Sequence, residues 1–587
     1  MTPEDLPVEK TVTNATPSGP QGGGTFINPD THPPKDPYVL AMEEGGALQR
    51  TGEMDLAIEA FRRAVVINPH RLDAFYCLAV ALQHKGDTVQ ATHYLEKCIQ
   101  IDKNHPDPYN MLGSISWTLK KGQEALKWFK KALDVHPTFD KSWYNIGIVA
   151  SSIGDVEQAR EAHLRAVSLN PQYFDSWQAL IFLRDVTEDS EECWRERRRL
   201  WSAVGPAVHR THANTPDPDR RLRIGYVSGD FWLHSACFIF GGLILNHDWD
   251  FFHPVCYMVA PKNDFLTEQM RDHTIWRFVP HLDHTALADL IQRDRIDILV
   301  DLSAFSFQTR LPVFRMKPAP IQVTAWGHAM GTGMEEMDYI FHDPISAPPD
   351  TREQFTESVW DLPSLMCYNP PMDVVPVGPL PALTNGHVTF ASFNRIMKLT
   401  TESWQRWGEI LRRVPKSRLI VKCIQFDVPD AVDLVRSRIT TEFNIDTNRV
   451  FIRGTESHPR HMASYGEADL GLDPWPHGGG VTTVESLFNG VPVICQAGRW
   501  VAARTGVSLL TNAGIPEFAT TSRQDYIDTA VRWANDLDGL ARIRAGLREA
   551  MVKSPICDIP GYTRAVERGY REMWRRWCAG RPDHAGT

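Results

Sequence analysis

The chain has 587 residues, 42% hydrophobic and 23% charged, with a net charge of −10. At roughly 100–200 residues per domain, this is room for about three or four domains of ordinary globular composition. The acidic balance excludes the basic footprint of a nucleic-acid binder, and no run approaches the ~18 apolar residues of a membrane span.

Residues 1–37 are rich in Pro, Gly and Thr and lack an apolar core of signal-peptide length, which predicts a disordered lead-in and a cytoplasmic chain. The ten cysteines are scattered without a CxxC pair, which argues against a zinc site and suits a reducing compartment.

From Tyr38 the sequence repeats. Four segments, starting at Tyr38, Leu72, Pro106 and Asp140, align without gaps at a period of 34. Position 20 of the repeat reads Ala57, Ala91, Ala125, Ala159, and position 27 reads Ala64, Cys98, Ala132, Ala166. Position 24 carries Phe61, Leu95, Phe129 and His163, and three of the four segments end on Pro69, Pro137 or Pro171. Small residues at fixed positions let two antiparallel helices approach closely, larger ones fill the space between them, and proline stops the second helix. Gly52, Gly86 and Gly154 mark the turn inside three repeats; in the third the glycine slips to Gly122, which predicts a different turn. The first repeat is weak at position 7, where Glu44 stands.

The pattern resembles the tetratricopeptide-repeat (TPR) family. It implies an α-solenoid over residues 38–204, with a degenerate helix pair from about Phe174 to Val204 as its cap. In that pair Arg195, Arg197, Arg198 and Arg199 lie in one helical stretch with Glu191, Glu192 and Glu196, and are read as a solvated face. Residues 205–220 read as a linker.

Short apolar runs alternating with helical segments follow, predicting parallel sheets. The first lobe, residues 221–380, has expected strands at Leu222–Ser228, Pro254–Val259, Ile296–Leu302, Ile321–Trp326 and Tyr339–His342. A Pro-rich connection from Pro363 to Pro381 leads to the second lobe, residues 381–579 with its terminal helices. There the expected strands are Val388–Phe393, Arg418–Cys423, Arg449–Arg453, Leu470–Asp473 and Val491–Cys495. No GxGxxG follows the first strand and no GxxxxGK[ST] occurs, which speaks against dinucleotide oxidoreductases and P-loop kinases.

The most informative stretch is Asp473–Pro492. A strand ends near Asp473, Gly478, Gly479 and Gly480 permit close approach to a ligand, and Thr482 and Thr483 open a helix with Glu485 in its first turn. Free N–H groups, hydroxyls and a positive dipole end suit a diphosphate. The same residues would also serve as an ordinary glycine-rich βα loop.

This stretch resembles the donor-diphosphate loop of the O-GlcNAc transferase/SPINDLY family of protein O-glycosyltransferases. The likeness runs over about residues 221–535, through Arg223–His234, Asp297–Leu302, Lys317–Val323, Phe393–Lys398 and His461–Asp469. It implies a GT-B type pair of Rossmann-like lobes behind a TPR arm, and a bacterial-type protein O-glycosyltransferase. Such an enzyme transfers a sugar from a nucleotide sugar to Ser/Thr of acceptor proteins bound in the TPR groove, by a single inverting displacement. Lys398 matches the lysine that meets the leaving diphosphate. His234 matches a cleft histidine that positions a substrate or acts as base, and Asp301 is either a base or a cap for the next segment. His461 matches a histidine near the nucleotide or caps a helix. Asn394, Gly479, Gly480, Val481, Thr482, Thr483 and Glu485 complete the expected donor site.

Ala329–Gly333 departs from the family's PGTSG-like loop, and Arg395 replaces the glutamine common in GlcNAc transferases. Arg418–Cys423 is closer to the fucose-using SPINDLY branch. UDP-GlcNAc is the expected donor, with GDP-fucose or a nonulosonic acid (as on flagellin) as alternatives. A non-catalytic adaptor or nucleotide-sugar sensor is the rival of a different class. No cofactor and no metal are expected: the DxD pairs Asp217/Asp219, Asp248/Asp250 and Asp536/Asp538 all lie away from the phosphate loop.

Overall fold

The structure, a computed structural model, describes residues 36–208, 210–370 and 374–580. The lead-in expected over 1–37 lies outside them but for its last two residues. The chain divides into two compact units, one formed mainly by residues up to Ala150 and the other by residues from Ser151 onward.

The first unit is helical: α1 (Pro37–Thr51), α2 (Met54–Ile67), α3 (Leu72–His84), α4 (Thr88–Ile101), α5 (Pro106–Thr118), α6 (Gly122–Val135) and most of α7 (Asp140–Ile153). The repeat starts read from the sequence fall on the first helix of each pair. Packing explains the small residues: a Cβ at Gly113 would sit 2.4 Å from the Phe129 ring, and one at Gly45 would sit 2.5 Å from Phe61. Gly52 and Gly86 take the left-handed conformation in their turns, with φ of 85° and 82°. In the third repeat that place falls to Lys120, at φ 62°, because the glycine sits two residues later and opens the next helix.

In the second unit α8 (Val156–Leu169), α9 (Phe174–Thr187) and α10 (Glu192–Val204) lead into two parallel sheets. The first lobe has β1 (Leu222–Ser228), β2 (Phe252–Met258), β3 (Ile275–Phe278), β4 (Ile298–Asp301), β5 (Ile321–Thr324), β6 (Tyr339–His342) and β7 (Ser358–Asp361), in the order β3-β2-β1-β4-β5-β6-β7. The second has β8 (Thr389–Ser392), β9 (Arg418–Lys422), β10 (Val450–Arg453), β11 (Leu470–Leu472), β12 (Val493–Gln496) and β13 (Ala519–Thr520), in the order β10-β9-β8-β11-β12-β13. All ten expected strands are present. The additions β3, β7 and β13 are the sheet edges other than β10, and β3 and β7 are only partly buried along their length. Edge strands need no continuous apolar run, so hydrophobic patterning misses them.

Two expectations require correction. The terminal helix Ile559–Cys578 belongs to the first lobe, not the second: Tyr562, Val566, Tyr570, Met573 and Trp574 share a core with Tyr226, Phe240, Val323 and Phe341. Its Glu567 carboxylate also accepts a 2.8 Å bond from the Asp248 N–H and lies 3.0 Å from His247 Nδ1. The arginine cluster is not uniformly solvated. Arg195 and Arg199 are exposed, whereas Arg197 is fully buried and forms a two-pronged pair with Asp185 at 2.8 and 2.5 Å. α9 and α10 also pack against the first lobe: Trp177, Leu180, Ile181, Leu200 and Trp201 are built into its core with Val227, Leu299 and Phe314. Among the described residues no helix is long and apolar enough to cross a membrane.

Candidate active site

In an open parallel sheet, ligands gather at the carboxyl ends of strands where the strand order reverses. In the second lobe that point lies between β8 and β11. β8 runs out into Phe393-Asn394-Arg395 and a single turn, Ile396–Lys398; β11 runs out into Asp473 and the glycine loop. The Lys398 Nζ donates to the Gly478 carbonyl oxygen at 2.7 Å. Burial and the neighbouring Arg395 guanidinium push the Lys398 ammonium down to about 7, against the opposing pull of Asp473. Thr400 ties the same turn to the loop: its hydroxyl caps the helix Thr401–Arg413 and donates to the Trp475 carbonyl at 2.7 Å.

The loop is folded around Asp473. This buried carboxylate accepts from the Gly479 N–H at 3.0 Å and the Thr483 hydroxyl at 3.3 Å, and burial raises its pKa to about 6. Thr483 therefore braces the loop rather than lining its mouth. A Cβ at Gly479 would lie 2.5 Å from the Thr482 hydroxyl, so no side chain fits there. The helix Val481–Phe488 begins with Gly480 as its N-cap, and Gly480, Val481 and Thr482 remain partly exposed. Thr482 Oγ1 lies 3.5 Å from Asn394 Oδ1, which joins the two strand ends.

Glu485 lies in the second turn of this helix, not the first, and is buried. It accepts from the Tyr465 hydroxyl at 3.1 Å and faces His461 Nε2 at 3.4 Å. His461 lies inside the helix His458–Ser464, so it does not cap that helix; its ring meets Phe393 and Tyr465 at 5.8 and 5.5 Å.

The first lobe reverses between β1 and β4, and His234 and Asp301 follow those strands. His234 is part-exposed; its Nδ1 lies 3.3 Å from the Ala236 N–H and 3.5 Å from Asp230. Asp301 is buried, and burial pushes its carboxyl up to about 6. It accepts from the N–H groups of Ser303 and Ala304 at 3.1 and 2.9 Å and from the Thr324 hydroxyl at 3.0 Å. These bonds hold a turn in which Ala304 has φ 43°, an arrangement in which the carboxylate caps the segment that follows the strand. The divergent loop Ala329–Gly333 is held by Arg197, which donates to the Gly331 carbonyl at 3.1 Å, and by Glu357, which accepts from the Thr332 N–H at 2.6 Å.

Sequence reasoning assigned no role to Asp185, His328, His477, Asp473 or Tyr465. His477 and Asp473 stood inside the loop that drew attention, whereas Asp185 lay in a helix read only as a cap.

The family model for glycosyl transferase family 41 matches residues 203–366 and 379–566, and the tetratricopeptide-repeat model matches 72–105, 106–139 and 140–173. Over 414 residues the chain is 35% identical to a probable UDP-N-acetylglucosamine–peptide N-acetylglucosaminyltransferase SPINDLY of Petunia hybrida, covering 68% of this chain and 44% of that protein. Over 378 residues it is 27% identical to the probable enzyme of the same description named SEC in Arabidopsis thaliana, covering 62% of this chain and 38% of that protein. The chain thus spans less than half the length of these curated relatives. A solved structure of a Thermobaculum terrenum O-GlcNAc transferase with a lysine-to-methionine mutation matches with a TM-score of 0.76 and 28% identity, over 93% of this chain and 98% of that one. With its repeats ahead of two parallel-sheet lobes, and the family model spanning both lobes, the chain belongs to glycosyl transferase family 41.

Proposed function

We propose that the chain is a protein O-glycosyltransferase that moves a sugar from a nucleotide-sugar donor to Ser/Thr hydroxyls of acceptor proteins held by the repeat arm. The observation that carries this reading is the pairing of Lys398 with the glycine loop at the strand reversal of the second lobe. The acceptor oxygen attacks the anomeric carbon, the bond from that carbon to the diphosphate oxygen breaks, and its electron pair leaves with the nucleoside diphosphate. Lys398 and the N-terminus of the helix Val481–Phe488 meet the charge that develops there. Asn394, Gly479, Gly480, Val481 and Thr482 line the donor side, with Thr483 and Glu485 behind them and His461 beside Glu485. His234 stands on the first-lobe side, where it positions a substrate or takes the acceptor proton.

UDP-GlcNAc is the proposed donor, on the activity named for the relatives; GDP-fucose is the second reading, favoured by the SPINDLY-like strand Arg418–Lys422. The reading requires no divalent metal. Mass spectrometry of proteins from cells with and without this chain tests it. An N-acetylhexosamine, deoxyhexose or nonulosonic-acid mass on Ser/Thr identifies the donor class, whereas no added mass with any donor favours an adaptor or sensor.

A further inference from the structure

α9 lies outside both matched models, between residue 173 and residue 203, yet it touches both lobes. Phe182 and Asp185 are three residues apart and share one helix face. The Phe182 ring stands 5.7 Å from the His328 ring of the first lobe and 5.6 Å from the Arg395 guanidinium on the second-lobe turn that carries Lys398. Asp185 is engaged twice over. Its carboxylate holds Arg197 and accepts from His328 Nε2 at 2.6 Å, and its backbone carbonyl faces His477 Nδ1 at 3.2 Å. The His328 and His477 rings are stacked, 6.2 Å apart and 16° from parallel. His477 directly precedes Gly478, whose carbonyl receives the Lys398 ammonium.

The electrostatics fit one arrangement. Burial by itself would raise the Asp185 carboxyl, but Arg197 and His328 hold it below the usual range. Burial, with Lys398 and His328 nearby, keeps His477 well below the ordinary histidine range, so its ring is neutral at pH 7. A neutral ring against a carbonyl carries its proton on Nδ1, which fixes the tautomer and the ring's orientation. The next loop along α9 adds a second grip: the Asp189 carboxylate accepts from the N–H groups of Arg499 and Trp500, each at 3.0 Å.

We propose that Asp185 is a positioning residue of the transfer site: through His328 and His477 it fixes the loop segment whose Gly478 carbonyl holds Lys398. The last helix pair ahead of the lobes is then part of the reaction centre, not a spacer. The proposal rests on the reading of Lys398 as the leaving-group lysine.

Asp185→Asn alone leaves the buried Arg197 uncompensated, so the charge pair is replaced as a unit by the apolar pair Asp185→Leu with Arg197→Met, since apolar replacement of a whole buried ion pair is often tolerated. His328→Phe is the second variant; it keeps a stacked ring and removes only the bond to the acid. Thermal unfolding of the full chain establishes that each variant folds, and His328→Phe carries the test if the double variant does not. Two readouts follow: donor kcat and KM, and the pH midpoint of amine labelling at Lys398, read by peptide mass spectrometry. The expected result is a kcat lower by about tenfold or more with donor KM little changed. The labelling midpoint is expected to rise from near 7 toward that of an ordinary lysine as the loop loosens and water enters. Folded variants with wild-type kcat and an unmoved midpoint would overturn the proposal and leave Asp185 as the counter-ion of Arg197. Lack of transfer by the wild-type chain with every donor sinks the glycosyltransferase reading instead, and the labelling midpoint then still decides the role of Asp185.

Discussion

The Lys398 ammonium and the Gly478 carbonyl meet at 2.7 Å, so the cation and the glycine loop form one unit. Lys398→Ala is expected to abolish transfer, by about 10²–10³-fold or more in kcat, as for loss of a donor aimed at developing charge. The fold should survive, because the ammonium meets a backbone carbonyl and does not fill a hydrophobic core. Turnover at saturating donor, beside a thermal melt, checks both halves. Near-normal kcat removes the lysine from the mechanism.

The same lysine sets a pH dependence. Burial and Arg395 lower its pKa to about 7. The free enzyme therefore loses its ammonium as pH rises through about 7, and kcat/KM should fall there. A bound diphosphate favours the charged form, so the decline in kcat should lie at higher pH. The stability sign is opposite. Between about 7 and the unfolded value near 10.4 the native state holds fewer protons than the unfolded chain, so this group makes stability rise with pH. A kcat/KM profile that stays flat from about pH 6 to 9 contradicts the shifted lysine.

Strand ends were the legible part of the site. Lys398 and Asp473 follow two strands whose apolar runs are unmistakable, and the reversal between β8 and β11 brings them together. What escaped sequence reasoning depends on which side chains the fold brings together, which local patterning does not encode. Arg197 reads as one of four clustered arginines, and nothing local says that its partner is Asp185, twelve residues earlier. The terminal helix shows an apolar face at helical spacing, but such a face does not say which sheet it covers, and here it returns to the first lobe. Thr483 carries the hydroxyl expected of a ligand contact; the fold turns it onto Asp473 instead.

Residues 38–172 should be dispensable for donor binding but not for acceptor modification, because repeat units contact chiefly their neighbours. The stub beginning at α9 keeps its tryptophans covered: Trp177 is built into the first-lobe core, and Trp194 lies edge-on to Phe355 at 5.4 Å. Extending the deletion to residue 204 strips Trp177, Leu180, Leu200 and Trp201 from that core and should abolish both activities. Calorimetry with nucleoside diphosphate, beside acceptor turnover, separates the outcomes. Equal loss of both in the shorter deletion contradicts the division of labour.

Trp574 is fully buried in the first-lobe core, and its indole N–H donates to the Asp217 carbonyl at 2.8 Å. Trp574→Ala should cost about 3–5 kcal/mol, the usual range for emptying a buried tryptophan site. The loss should appear in unfolding of the first lobe, although the residue stands far along the chain from it. Denaturant unfolding of the full chain, with a first-lobe reporter such as Trp276, measures it. Destabilisation confined to the second lobe would contradict the placement of this helix.

Turnover should not require a divalent cation. The three DxD pairs are committed elsewhere. Asp219 pairs with Arg575 at 3.0 Å, Asp248 accepts from the Asp250 N–H at 3.0 Å, and Asp536 caps the helix Leu537–Lys553 through the Gly539 N–H at 2.9 Å. In the loop itself the one carboxylate, Asp473, is occupied by Gly479 and Thr483. The leaving diphosphate would instead meet the Lys398 charge and the start of the helix Val481–Phe488, whose dipole contributes roughly 0.3–1 kcal/mol and up to ~2 when partly buried. The measurement is the rate of extensively chelated enzyme in excess EDTA. Retained activity is the expected result, with Lys398→Ala inactive whether or not magnesium is added. A large loss on chelation, restored by magnesium or manganese, would transfer the leaving-group role from the lysine and loop to a metal.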